Sequence, residues 1–172
     1  MNATNTKHDR PYNPLGPIAY FITFRTYGTW FHGDGRGSMD RKSANVPGTP
    51  MLKANEYREK WEQKQMKHSA VCFNSGQRKI IDHTIREMIK YNKWLLHALG
   101  VERDHVHVVL TALKNPDAVM NSMKTWCTRR LREARQISPD IKPWSRHGST
   151  RWLWTEKQLR EACAYVIRGV QE

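Results

Sequence analysis

No apolar run in the 172 residues approaches the ~20 needed to span a bilayer. The opening stretch MNATNTKHDRPYNP also lacks the apolar centre of a signal peptide. A cytoplasmic, nucleoid-associated protein without membrane contact is therefore expected. Cysteine is scarce: Cys72, Cys127 and Cys163 lie far apart and lack the paired spacing of a zinc knuckle or disulfide frame. They read as buried thiols in reducing surroundings. Acidic charge is short as well, with 16 Asp and Glu against 29 Lys and Arg and a formal net charge of +13. That excess favours a polyanionic partner, because each neutralised phosphate releases counterions. With a membrane surface set aside, the expected partner is nucleic acid. Repeats and low-complexity tracts are missing too, so the length implies one domain with a sizeable core.

The N-terminal stretch 1–17 is polar and carries Pro11, Pro14 and Pro17, which suits a flexible arm before a single domain over 18–172. IAYFITFRT, Ile18 to Thr26, is β-rich and aromatic and predicts a first strand. Gly28, Gly33, Gly35, Gly37 and Gly48 then forbid regular structure, and a loop and helix insertion spans about 28–70. Within it, Asn55 to Lys67 is charged and helical. Ser75 to Tyr91 repeats Ile80, Ile81, Thr84, Ile85, Met88 and Ile89 at helical spacing, the mark of a core-facing helix. Trp94 to Val101 and His105 to Ala112 form a hairpin, and Asn115-Pro116 opens the next helix as cap and first residue. RWLW, Arg151 to Trp154, is a short strand, and Thr155 caps a last helix to about Arg168. This order is the split βαβ arrangement with a terminal helix. It predicts an α+β, ferredoxin-like fold: a four-stranded antiparallel sheet with packed helices, its first and third strands central.

The stretch ERDHVHVVLTA puts His105 and His107 one residue apart on the third strand. Alternate residues of a strand share a face, so both imidazoles point one way and Val106, Val108 and Leu110 the other. Two neutral imidazoles side by side can hold one divalent metal, although such a triplet alone is a weak motif. A second anomaly lies in the terminal helix TEKQLREACAYVIRGV. Leu159, Cys163, Val166, Ile167 and Val170 form its apolar stripe, while Tyr165 falls about 130° away, on the face with Glu161. A structural tyrosine would normally bury its ring in the stripe.

From about Ala19 to Val170 the chain resembles the HUH-type single-strand tyrosine transposases, close to their REP-associated tyrosine transposase branch. The resemblance rests on an ordered set: the strand and loop YFITFRTYGTWFHGDGRGSMDR, the triplet His105-Val106-His107, the helix segment KTWCTRRLREA, the strand RWLW and the late helix with Tyr165. It implies a metal-dependent enzyme that cuts and rejoins single-stranded DNA, with a hairpin in its target. By this resemblance His105 and His107 hold Mg²⁺ or Mn²⁺, which polarises the scissile phosphate. Tyr165 attacks phosphorus, forming a 5′-phosphotyrosine intermediate and freeing a 3′-hydroxyl. The covalent link keeps the phosphodiester energy for rejoining, which attack by water would waste. The family's third ligand, Gln or Asn one turn after the tyrosine, is replaced here by Gly169. Gln171, if Gly169 ends the helix, and Glu161, one turn before the tyrosine, are the candidates for that place.

Trp30 in the glycine-rich loop is placed to stack on an unpaired base, and the loop with Arg36 to meet phosphates. Lys124, Arg129 and Arg132, on a basic helix, and Arg151 are the further candidate DNA contacts; Trp126 is also placed for DNA. The assembly is expected to be a monomer or homodimer. A non-catalytic, domesticated ferredoxin-like binder of single-stranded nucleic acid is the alternative. It would want exposed aromatics on a central strand, where this chain has histidines and valines. A metallohydrolase using metal-bound water would need more acidic ligands than Asp104.

Overall fold

The computed structural model describes residues 16–31, 34–35 and 54–169. The expected helices and strands form, in the order β1 (Ala19–Thr26), α1 (Glu56–Lys64), α2 (Ser75–Tyr91), β2 (Leu95–Val101), β3 (His105–Thr111), α3 (Pro116–Glu133), β4 (Trp144–Leu153) and α4 (Glu156–Gly169). The strands make one four-stranded antiparallel sheet in the order β2-β3-β1-β4. The fold is α+β, with β1 and β3 at the centre as the chain order requires.

Local chemistry sets the helix starts. Asn74 and Gln77 exchange side-chain and backbone bonds at 2.9 Å each, a capping box at the head of α2. Asn115 accepts from the Asp117 amide at 2.9 Å, with Pro116 supplying a preset φ for the first turn of α3. The Gln158 amide donates to Thr155 Oγ1 at 3.3 Å at the start of α4. By contrast α1 buries none of its residues. Its polar surface gives it no stripe to pack.

The two faces of the sheet are covered unequally. Tyr20, Ile22 and Phe24 of β1 and Val106, Val108 and Leu110 of β3 pack with α2 and α3 in the main core. On the other face Ala19, Ala98, Val109 and Leu153 meet Ala162 and Val166 of α4 in a smaller one. Ile167, expected in the apolar stripe of α4, is 55% exposed. The helix rolls instead onto Ala162, a residue small enough to bring it close to the sheet, and Val170 lies outside the described residues. Cys72, expected to be buried, is exposed, whereas Cys127 is buried and its thiol is pushed up to about 12 by burial. No helix of the described residues is long and apolar enough to cross a membrane.

The largest departure from expectation is β4, which begins at Trp144 rather than Arg151. Its residues carry little apolar alternation because it is an edge strand with only Leu153 buried. Gly148 marks its closest approach to the rest of the molecule: a Cβ there would run into Met120 Sδ of α3 and the Thr23 carbonyl of β1. The replacement Gly148→Ala is therefore expected to destabilise the fold by about 1–3 kcal/mol, as overpacking does. A urea-unfolding midpoint unchanged from wild type would contradict this placement.

Candidate active site

The hairpin turn before β3 is fixed by backbone bonds from three sides. The Glu102 amide donates to the His105 carbonyl at 2.8 Å, the Thr26 amide to Asp104 O at 2.8 Å and the Phe73 amide to Arg103 O at 2.7 Å. With β3 so held, His105 lies opposite Arg25 and His107 opposite Thr23 in the register with β1. Strand alternation puts both rings on the α4 face, with centroids 4.5 Å apart. His105 Nδ1–H donates to Asp104 Oδ1 at 2.6 Å, and His107 Nδ1 is bonded to Thr23 Oγ1 at 2.8 Å. Each bond engages Nδ1 and orients its ring, and where the Thr23 hydroxyl accepts, His107 is the Nδ1–H tautomer. Desolvation pushes the His107 imidazole down to about 4, helped by the nearby His105 and Arg25 charges and opposed by Asp104. At neutral pH His107 is an uncharged base.

Tyr165 comes to this pair from α4. Its ring lies edge-on to His107 at 5.4 Å and to Phe21 of β1 at 6.0 Å, yet 54% of the residue stays exposed. Being off the apolar stripe has thus put it neither in the core nor idly in solvent. It stands over the sheet beside the histidines, with one side open.

The donor set fits a divalent ion as far as two nitrogens go: two imidazoles on one face, each with Nδ1 engaged and one of them neutral. Among the described residues no group of three His, Cys, Asp or Glu could hold a metal ion. Glu161 is not gathered to the pair; its carboxylate is 4.0 Å from Lys157 Nζ on the helix surface. Gln171 lies outside the described residues. Gly169 is the last described residue and stands at the C-terminal end of α4.

The expected DNA contacts fall on different faces. Arg151 of β4 is opposite Phe21, with its guanidinium 5.9 Å over that ring, on the same face as the histidines. Arg129 and Arg132 line an open cleft of about 490 Å³ with Lys142 and Trp144, on the α3 side of the sheet. Arg129 is bonded to Glu133 at 2.8 Å and lies 5.3 Å over Trp126, which is 42% exposed. Arg132 donates to the Ile141 carbonyl at 3.2 Å. Lys124 departs from the expected exposed position. It is buried, and its ammonium donates to the carbonyls of Ser145 and His147 at 3.0 and 3.1 Å. Burial pushes it down to about 8, and its two backbone bonds tie the edge strand to α3. Trp30 has one ring face occupied, with the Arg25 guanidinium 3.5 Å from the ring centre. Arg36 lies outside the described residues. Sequence reasoning missed Phe21, Thr23 and Arg25, although the alternation of β1 could have put all three opposite the histidine strand.

A family model described as "Transposase IS200 like" matches residues 56–160. Among solved structures, the chain is similar to a REP-associated tyrosine transposase bound to a REP hairpin. The identity is 14% and the TM-score 0.51, over 97% of this chain and 74% of that one. A putative transposase from Deinococcus radiodurans R1 is 15% identical with a TM-score of 0.45, over 97% and 98% of the two chains. The first likeness speaks to the fold. The chain matches no curated protein.

The environment of His107 has a measurable consequence for stability. Its folded value of about 4 lies below the ordinary 6.5, so between those limits the unfolded chain takes a proton that the folded one refuses. The stability this represents, on the order of 3 kcal/mol, is fully present above pH 6.5 and drains away as pH falls toward 4. Unfolding free energies at pH 7 and pH 4.5 should therefore differ more for the wild type than for His107→Gln. Equal pH sensitivity in the two would contradict a buried neutral ring.

Proposed function

The chain belongs to the IS200-like transposase family, a family of DNA strand cleavage and transfer enzymes, and we propose that it cuts and rejoins single-stranded DNA through Tyr165. The observation that carries this reading is Tyr165 standing 5.4 Å from His107, on a helix whose apolar stripe points elsewhere. In the proposed step Tyr165 Oη attacks the scissile phosphorus. The P–O3′ bond breaks as the P–Oη bond forms, and the proton lost by the phenol is balanced by one gained at the departing 3′-oxygen. The 5′ end stays on the tyrosine, and a 3′-hydroxyl attacking later reverses the exchange and joins strands.

His105 and His107 are the proposed holders of Mg²⁺ or Mn²⁺ through Nε2, since Nδ1 is engaged in each. Bound there, the ion would supply charge for the extra negative charge of the in-line transition state. Thr23 and Asp104 keep the two rings turned for that task. With only two nitrogen donors in the described residues, phosphate oxygens and water would complete the shell, with Gln171 a candidate beyond them. The closeness of Tyr165 to the histidines of its own chain supports cleavage in cis, which a monomer could perform.

The proposed substrate is single-stranded DNA, with a hairpin beside the cut. A net charge of +13 and the REP hairpin bound by the similar transposase support it. Arg151 would meet the backbone on the histidine face. Arg129 and Arg132, with Trp126 beside them, would meet it on the α3 face. Affinity should fall steeply with salt, and plain duplex should compete poorly.

The test is a denaturing gel of protein incubated with labelled single-stranded DNA and Mn²⁺. Wild type should give a denaturant-resistant adduct. Tyr165→Phe, which keeps the ring, should lose adduct and nicking together while still binding DNA. His107→Ala should slow adduct formation by about 10²-fold or more. Nicking that survives in Tyr165→Phe would mean water is the nucleophile, and the tyrosine reading would fall.

A further inference from the structure

One cation on the histidine face has no part in the scheme above. Arg25 is the last residue of β1 that shares a face with Phe21 and Thr23, and its register partner is His105. Its guanidinium lies against the Trp30 ring, 3.5 Å from the centre, a stacked rather than swinging arrangement. Its backbone is held as well, since Ser145 Oγ donates to the Arg25 carbonyl at 3.1 Å. Along the sheet face the order is then Tyr165 with Phe21, His107 with Thr23, His105 with Arg25. The nucleophile stands at one end and a fixed cation at the other.

We propose that Arg25, held flat on Trp30, is a phosphate-binding residue of the reaction, gripping the DNA backbone where it leaves the histidine pair on the side away from Tyr165. Strand residues two apart lie ~7 Å from each other and directly opposite ones ~5 Å, so Arg25 is level with His105 and one step beyond His107, on the side away from Tyr165. A guanidinium offers five N–H donors in a planar fork, enough to keep partners in the protein and still meet two phosphate oxygens. Stacking fixes the fork's plane before DNA arrives, and Trp30 is the positioning residue. The loop tryptophan thus serves DNA through the arginine. This inference rests on the tyrosine-cleavage reading for its site, but its binding half can be tested without cleavage.

The experiment measures affinity for a single-stranded oligonucleotide across salt concentrations, and adduct formation at saturating DNA with Mn²⁺. Arg25→Ala should bind about tenfold more weakly, with a salt dependence shallower by about 0.7 of a log–log unit, the loss of one phosphate contact. Its adduct rate should fall about 10²-fold. Arg25→Lys should keep the salt slope but recover little of the rate, since an ammonium has no fork. Trp30→Ala should slow the adduct with the slope intact, and Trp30→Phe should restore it. Arg25→Gln keeps the stem over Trp30 without the charge, and should lose the slope like Arg25→Ala. An unchanged slope in folded Arg25→Gln and Arg25→Ala, with wild-type adduct rate, would overturn the proposal while leaving Tyr165 untouched. A lost slope alongside an adduct that persists in Tyr165→Phe would instead sink the tyrosine and keep Arg25.

Discussion

The register of β3 against β1 is the constraint on which the rest depends. With Val106, Val108 and Leu110 turned into the α2–α3 core, His105 and His107 have no face left but the one under α4. A slip of one residue would bury both imidazoles in apolar packing and expose three large side chains, so the pairing is strongly determined. The turn Glu102-Arg103-Asp104 is bonded to β1 and to the segment ahead of α2, which holds that register at the histidine end of β3. The main core and the candidate site are in this sense one decision, taken by alternation along a single strand.

The two faces of the sheet are packed differently among the described residues. Among the described residues, two helices pack on one face, whereas α4 packs on the other, resting on Ala98, Val109 and Leu153. Thr23, Arg25, His105 and His107 lie on that same face, and α4 brings Tyr165 to the last of them. Tyr165 has its ring against the sheet and half its surface free. A tyrosine in the apolar stripe would be too enclosed to meet a phosphate. One on the far side of α4 would be out of reach.

What could be read in advance followed periodicity. The helical spacing of Ile81, Ile85 and Met88, the caps Asn115 and Thr155, and the alternation of His105 and His107 each carry a local signal that packing obeyed. The first half of β4 carried none, because an edge strand open to solvent has no need of an apolar face. Lys124 sits in the polar stripe of its helix, and only the arrival of β4 turns it inward. The stack of Arg25 on Trp30 joins a strand to the loop after it, a contact set by the course of the chain and not by any spacing. Where a side chain's partner lies far along the chain or outside a regular element, residue pattern alone had nothing to say.

The most direct test of this account is to find where the DNA becomes attached. After reaction with single-stranded DNA and Mn²⁺, nuclease and trypsin digestion followed by mass spectrometry would reveal the modified peptide. The site described here predicts a nucleotide phosphate on the peptide 161–168, released between Arg160 and Arg168, with fragmentation placing it on Tyr165. Attachment to any other residue, or cleaved DNA with no protein-linked phosphate, would contradict it.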